Sequence, residues 1–222
     1  MAESSSSLPK DRMTVLFLVM LVAAAGNTAM QSILPAIGTK LKIPDVWVSL
    51  AFSWSALLWV FTAPYWARMS DHRGRKALMS LGIVGFVSSM LLCGLILWAG
   101  LSGWIAASVT FILFAISRSL YGGLGSAAPP AVQAYVAART DPSERTQALS
   151  LVSSSFGLGT VLGPAVAPFF ILPLFGLAGP MLMFALLGCF VLVLLHWRLP
   201  DDMPRFAARG KIISYPLYAS LP

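Results

Sequence analysis

The amino-acid sequence predicts an all-α integral membrane protein of six transmembrane helices, and three observations carry that prediction. The chain of 222 residues is 58% hydrophobic and only 10% charged, with a mean hydropathy of +0.81. Soluble domains carry about 25% charged residues, so this chain lacks the polar material to cover a water-facing surface. Its apolar residues gather into six long runs, each close to or beyond the roughly 20 residues that a helix needs to cross a bilayer. The basic residues sit in short clusters between those runs. Despite a formal net charge of +7, that placement belongs to membrane topology and not to a nucleic-acid-binding face.

The first run, 13–34, is uncharged and ends at Pro35. Lys10 and Arg12 precede it and Ala23-Ala24-Ala25 lies within it, which resembles a signal peptide with a cleavage site. The run continues well past those alanines and five more follow, which favours a retained span. Ser4 to Ser7, ahead of it, read as part of a disordered tail. The second and third runs cover 46–67 and 77–100. The fourth, 104–138, is apolar except for Arg118. Two spans and a turn need at least about 40 residues, so this run is expected to form one long helix, kinked or tilted near Pro129-Pro130. Runs 148–175 and 180–197 complete the six. Cys93 and Cys189 both fall inside apolar runs and are expected to be buried and unpaired.

Orientation follows from the lysines and arginines. With the N-terminus inside, twelve of the fifteen lie on internal segments, only Lys40 and Lys42 on external ones, and Arg118 within a span. Cytoplasmic loops carry the excess of basic residues, so both termini are expected in the cytoplasm. The chain then divides into a tail (1–12), a six-helix bundle (13–197) and a second tail or start of a central loop (198–222).

The turn between the second and third runs reads Ala67-Arg68-Met69-Ser70-Asp71-His72-Arg73-Gly74-Arg75-Lys76. A positive-inside anchor accounts for the basic residues but not for an Asp followed at fixed spacing by Gly-Arg-Lys. Gly74 permits a turn with φ > 0, and an acid at a helix end can latch onto basic or backbone donors of neighbouring helices in one conformation and release them in another. The stretch resembles the signature loop of the major facilitator superfamily, Gly-x-x-x-Asp-Arg-x-Gly-Arg-Lys. Asp71, Gly74, Arg75 and Lys76 match, whereas Ala67 and His72 replace the usual glycine and arginine.

An arginine at the centre of a span costs about 2.5–3.5 kcal/mol on insertion scales, so Arg118 is expected to face a water-filled cavity or a polar partner. Arg118-Ser119-Leu120-Tyr121-Gly122 resembles the family's fourth-span Arg-x-x-Gln-Gly pattern, with Tyr for Gln. There the resemblance implies proton coupling or substrate handling. In the fifth run, glycines four apart form a flat strip that lets a neighbouring helix approach closely. Gly159-x-x-x-Gly163-Pro164 resembles the family's antiporter motif, although Ala167-Pro168 stands where that motif ends in two glycines.

The resemblance spans roughly residues 10 to 200 and implies one six-helix half of such a transporter, built as a 3+3 inverted repeat. The implied activity is secondary active efflux of small molecules or drugs across a bacterial inner membrane, driven by a proton gradient, with a second six-helix half as partner. Asp71, Arg73, Gly74, Arg75 and Lys76 would form the conformational latch. Arg118, Tyr121, Gly122, Asn27 and Gln31 would line the cavity, and Gly159, Gly163 and Pro164 would make the helix contact. Asn27, Thr28, Gln31 and Ser32 either line a substrate cavity or hydrogen-bond between helices. Trp54, Trp59 and Phe61 anchor, pack or stack on a substrate. No Asp or Glu lies in any run, so a proton carrier would come from elsewhere or be Asp71. Six spans instead of twelve leave a second expectation open, a fragment or interaction subunit without transport of its own. No enzyme motif and no cofactor or metal site is expected: the only histidines are His72, in the basic loop, and His196, at a helix end.

Overall fold

The computed structural model describes residues 8–201, and for Asp71 the backbone alone. Six helices are long and apolar enough to cross a membrane. They comprise α1 (Lys10–Leu41), α2 (Asp45–Arg73), α3 (Arg75–Leu101), α4 (Ala107–Gly123) continued by α5 (Ala128–Arg139), α6 (Arg145–Val166) and α7 (Gly179–Arg198). Among the described residues the only β pairing is a bridge between Leu172 and Gly176, in the loop before α7.

The first span does not end at its proline. α1 runs through Pro35 to Leu41. Proline removes one backbone donor and crowds the preceding turn, yet the helix recovers and closes only at Lys42, which adopts the left-handed conformation at φ 56°. The fourth span is interrupted where a kink was expected, but a few residues earlier. α4 stops at Gly123, a 3-10 turn covers Gly125–Ala127, and the two prolines occupy the first turn of α5. Proline is well placed there, because the first helical turn has no use for its missing N–H.

A break inside a membrane leaves backbone carbonyls that lipid cannot satisfy, and α2 supplies the donors. Trp66 Nε1 donates to Gly123 O at 2.6 Å. Thr62 Oγ1 lies 3.0 Å from Gly122 O and 2.8 Å from Ser126 Oγ, sharing its one proton with Leu58 O of its own helix at 2.8 Å. Ser55 Oγ donates to Arg118 O at 3.1 Å. Phe52, Ser55, Trp59, Thr62 and Trp66 recur at alternating steps of three and four, so they form one helical stripe turned toward α4. Interhelical hydrogen bonds in membranes are worth about 0.6 kcal/mol on average and up to about 1.7. Trp66→Phe is therefore expected to lower unfolding stability in detergent by about 1 kcal/mol. Exposed Trp47→Phe, measured in the same denaturant titration, should change little.

Packing in the bundle follows an inverted repeat. α1 lies along α6 and α4 along α2, while α3 packs on α4 and α7, and α7 on α1. Exchanging the first three spans for the last three carries the α1–α6 pair onto the α4–α2 pair and the α3–α4 pair onto the α7–α1 pair. The α3–α7 pair maps onto itself. Large side chains such as Phe61, Val161, Ile116 and Phe190 point outward and stay exposed, as suits a surface bathed by lipid or a partner helix. Of the two cysteines, Cys93 is buried as expected, but Cys189 lies exposed on α7, because the outer face of a span is as apolar as its core.

Candidate functional site

Arg118 lies eleven residues into α4, about 16 Å of helical rise at 1.5 Å per residue. That is close to the middle of a hydrocarbon core about 30 Å thick. It forms part of the wall of a cavity of about 380 Å³ at which α1, α2, α4 and α6 converge. Asn27 and Gln31 come from α1, Phe52, Ser53, Ser55, Ala56 and Trp59 from α2, Tyr121 from α4 beside Arg118, and Phe156 from α6. α4 packs on α2 and α3, and the arginine side chain bridges from it to α1: Nη2 donates to Asn27 Oδ1 at 2.8 Å.

The guanidinium is held between rings. Its carbon stands 4.8 Å from the centre of Phe52 and 5.0 Å from that of Tyr121. Tyr121 is fixed in turn by Trp59, at 5.2 Å between ring centres, and by Phe86 of α3 at 6.0 Å. Arg118 is only 2% exposed, and its Nε and Nη1 have no hydrogen-bond partner. Four of its five N–H groups are thus unpaired, next to a cavity whose other polar groups are all neutral. The aromatic sandwich offsets part of the cost of burying the charge but provides no acceptor.

Four of the five residues expected around the cavity lie at it, and Gly122 does not. Arg118, Tyr121, Asn27 and Gln31 line it, while Gly122 lies beside it and serves packing. A Cβ on Gly122 would meet the carbonyl oxygen and side chain of Ser55. Thr28 turns away, donating to Ala24 O at 3.0 Å and approaching Gly159 O at 3.5 Å, and Ser32 bonds back to Ala29 O. Trp59 lines the cavity, Trp54 donates to Ser119 Oγ at 2.9 Å, and Phe61 points outward. Sequence reasoning passed over Phe52, Ser55 and Phe156. The stripe on α2 was the available signal for the first two; Phe156 carried none.

Gly159 and Gly163 sit on the face of α6 that meets α1. A Cβ on Gly159 would come within 2.5 Å of Leu21 O and 2.8 Å of Ala24 Cβ, and one on Gly163 would strike Ala25 O and Thr28 Oγ1. Gly157 has nothing within 4 Å and faces away. Pro164 continues α6 by only a few residues before a 3-10 turn begins at Ala167.

At one end of the bundle, Gly74 alone joins α2 to α3, at φ 88° and ψ 143°. Only glycine takes that conformation readily. The side chain of Asp71 lies outside the described residues, so the latch has no described geometry at its acid. Arg75 is buried at the start of α3, and Arg73 is exposed. Lys76 reaches the far end of α7, donating to Asp201 Oδ1 at 2.8 Å and His196 O at 3.3 Å. Arg198 approaches Asp11 at 4.0 Å, so the start of α1, the α2–α3 turn and the end of α7 share one side.

The Lys76 hydrogen bond and charge hold the Asp201 carboxyl below the usual carboxylate range. The sign follows directly. Whatever this pair contributes is present above the ordinary carboxylate pKa and is lost as pH falls through the lowered one. Lys76→Gln is expected to move the Asp201 titration midpoint upward, read by NMR. Because Asp201 is almost wholly exposed, overall stability should hardly change.

A discontinuous span beside a polar midplane site, inside an inverted-repeat bundle, is the architecture of one half of a secondary membrane transporter. The chain belongs to the Major Facilitator Superfamily, whose sequence model matches residues 16–218. It is 27% identical over 162 residues to Multidrug resistance protein MdtG of Proteus mirabilis, covering 71% of this chain and 37% of that protein. It is 34% identical over 119 residues to Multidrug resistance protein 2 of Bacillus subtilis, covering 54% and 26% respectively. The chain thus spans well under half the length of the curated relatives it matches. Among solved structures, the human organic anion transporter MFSD10 (TETRAN) superposes with a TM-score of 0.63 at 22% identity, over 88% of this chain and 49% of that one. That likeness concerns the fold.

Proposed function

We propose that this chain is one bundle of a secondary active exporter of small molecules, with the Arg118 cavity as the half of the solute site that it contributes. The observation that carries the reading is the incompletely satisfied guanidinium at membrane depth. Intramembrane charges are costly and mark solute or ion pathways, and this one is walled by side chains from four spans. Similarity to multidrug resistance proteins supports efflux as the direction. The basic residues at the start of α1, the α2–α3 turn and the end of α7 support placing both termini in the cytoplasm of a bacterial cell, with the bundle in its inner membrane.

Transport requires a second bundle to close the cavity, either another copy of this chain or a different half. The spans α2 and α6 are the least covered by the bundle's own helices and both flank the cavity, which supports that side as the meeting face. The apolar runs of the spans hold no Asp or Glu, so coupling to protons draws on an acid of the second bundle or on Asp71. The α2–α3 turn serves as the latch between the two conformations.

The alternative is a chain without transport of its own, and one experiment separates the two. The purified chain is sized in detergent and reconstituted for uptake of cationic and anionic fluorescent dyes into inverted vesicles. A stable pair of bundles with uptake that a protonophore collapses supports the exporter. A monomer that moves no dye overturns it in favour of the second reading.

A further inference from the structure

We infer that the Arg118 cavity is a site for organic anions, an oxyanion group held toward the guanidinium and an apolar or aromatic body against the rings. The inference rests on the cavity being the solute site and adds the charge of the solute.

Electrostatics carry the argument. The one ionic group at the cavity is the Arg118 guanidinium; Asn27, Gln31, Ser53 and Ser55 beside it are neutral. Its Nη2 is engaged by an amide oxygen, which accepts a hydrogen bond without neutralising the charge. Nε and Nη1 are buried without any acceptor. Arginine matches oxyanions with its planar set of donors, and only one of its five N–H groups has a partner here. The side chain lines the cavity and is almost wholly buried, so its field acts on any occupant through a low-dielectric wall. The apolar runs of a second copy hold no Asp or Glu either, so a pairing of this chain with itself leaves the charge for a solute to neutralise.

The remaining lining chooses among anions. Phe52, Trp59, Tyr121 and Phe156 line the same cavity, a surface that gains nothing from a fully hydrated inorganic ion but takes an apolar body well. A cavity of about 380 Å³ lies at the small end of ligand-site volumes and holds one compact ring system. A cation placed there would meet the rings favourably but also the unneutralised guanidinium, and like charges brought close together repel.

The test uses the full chain in phosphatidylcholine nanodiscs, with binding read by equilibrium dialysis against empty nanodiscs. The probes are 2-naphthoate and 2-naphthylmethylammonium, alike in shape and opposite in charge near neutral pH. Saturable binding of the naphthoate at least tenfold tighter than that of the ammonium is the expected result. Asn27→Asp puts a carboxylate where the amide oxygen now sits, 2.8 Å from Nη2, and is expected to erase the preference while circular dichroism stays unchanged. Arg118→Gln is expected to do the same. Equal or tighter binding of the ammonium, no saturable naphthoate binding, or a preference that survives Asn27→Asp in a folded protein each overturns the inference. Should a variant not fold, the comparison of the two probes on the unaltered chain still decides. Naphthoate binding in a chain that moves no dye leaves this inference standing and removes the transport reading. Cation-selective transport does the reverse.

Discussion

Gly163→Val is expected to disrupt the bundle, lowering its thermal unfolding midpoint in detergent by many degrees or preventing its recovery in folded form. The β-carbon it adds strikes Ala25 O and Thr28 Oγ1 of α1. A backbone carbonyl inside a packed helix cannot step aside, so the two helices must separate. Overpacking typically costs about 1–3 kcal/mol, and more where the neighbour cannot yield. Close approach along α1–α6 also holds van der Waals packing that lipid would otherwise supply less well. Gly157→Ala in the same helix, with open space around its β-carbon, should leave the midpoint within a degree or two. Equal tolerance of both substitutions would show that α1 and α6 do not meet along Gly159 and Gly163.

The second large effect has opposite signs in two assays. Arg118→Met, in whatever assembly transports, is expected to reduce transport more than tenfold while leaving thermal stability equal or higher. Methionine has comparable length, keeps the apolar contacts with Phe52 and Tyr121, and removes a buried charge whose Nε and Nη1 have no acceptor. Replacing buried ionic groups by apolar ones of similar volume is often neutral or stabilising, and sites kept for function commonly give up stability for it. A loss of stability above about 1 kcal/mol with transport retained would make Arg118 a strut between α4 and α1.

Six spans were legible because the membrane imposes a coarse rule, length and the absence of charge, which the sequence either meets or fails. The side on which the basic clusters gather was legible for the same reason. Arg118 stood out because its cost is the same whatever surrounds it. Less was legible at the proline positions. Pro35 sits within α1, whereas Pro129 and Pro130 start α5 after a break that began at Leu124. Proline forbids a hydrogen bond at its own residue but does not say whether the helix bends, breaks upstream or recovers. That outcome depends on whether a neighbour satisfies the freed carbonyls, and here Trp66 of α2 does so for Gly123.

The sequence by itself determined the membrane class, the number of spans, the family resemblance and the identity of the costly arginine, all properties that depend on composition and local order along the chain. Only the tertiary structure decided what surrounds that arginine. Asn27 lies 91 positions away in the chain, and Phe52 and Phe156 approach from two further helices. Cys189 proved exposed and Cys93 buried although both lie in equally apolar runs. In a bilayer the outward and inward faces of a span are alike in polarity, so hydrophobic pattern cannot separate them. Which face turns inward is set by shape, by glycines that admit a neighbour and by polar groups that must find a partner, and those are settled only when the helices meet.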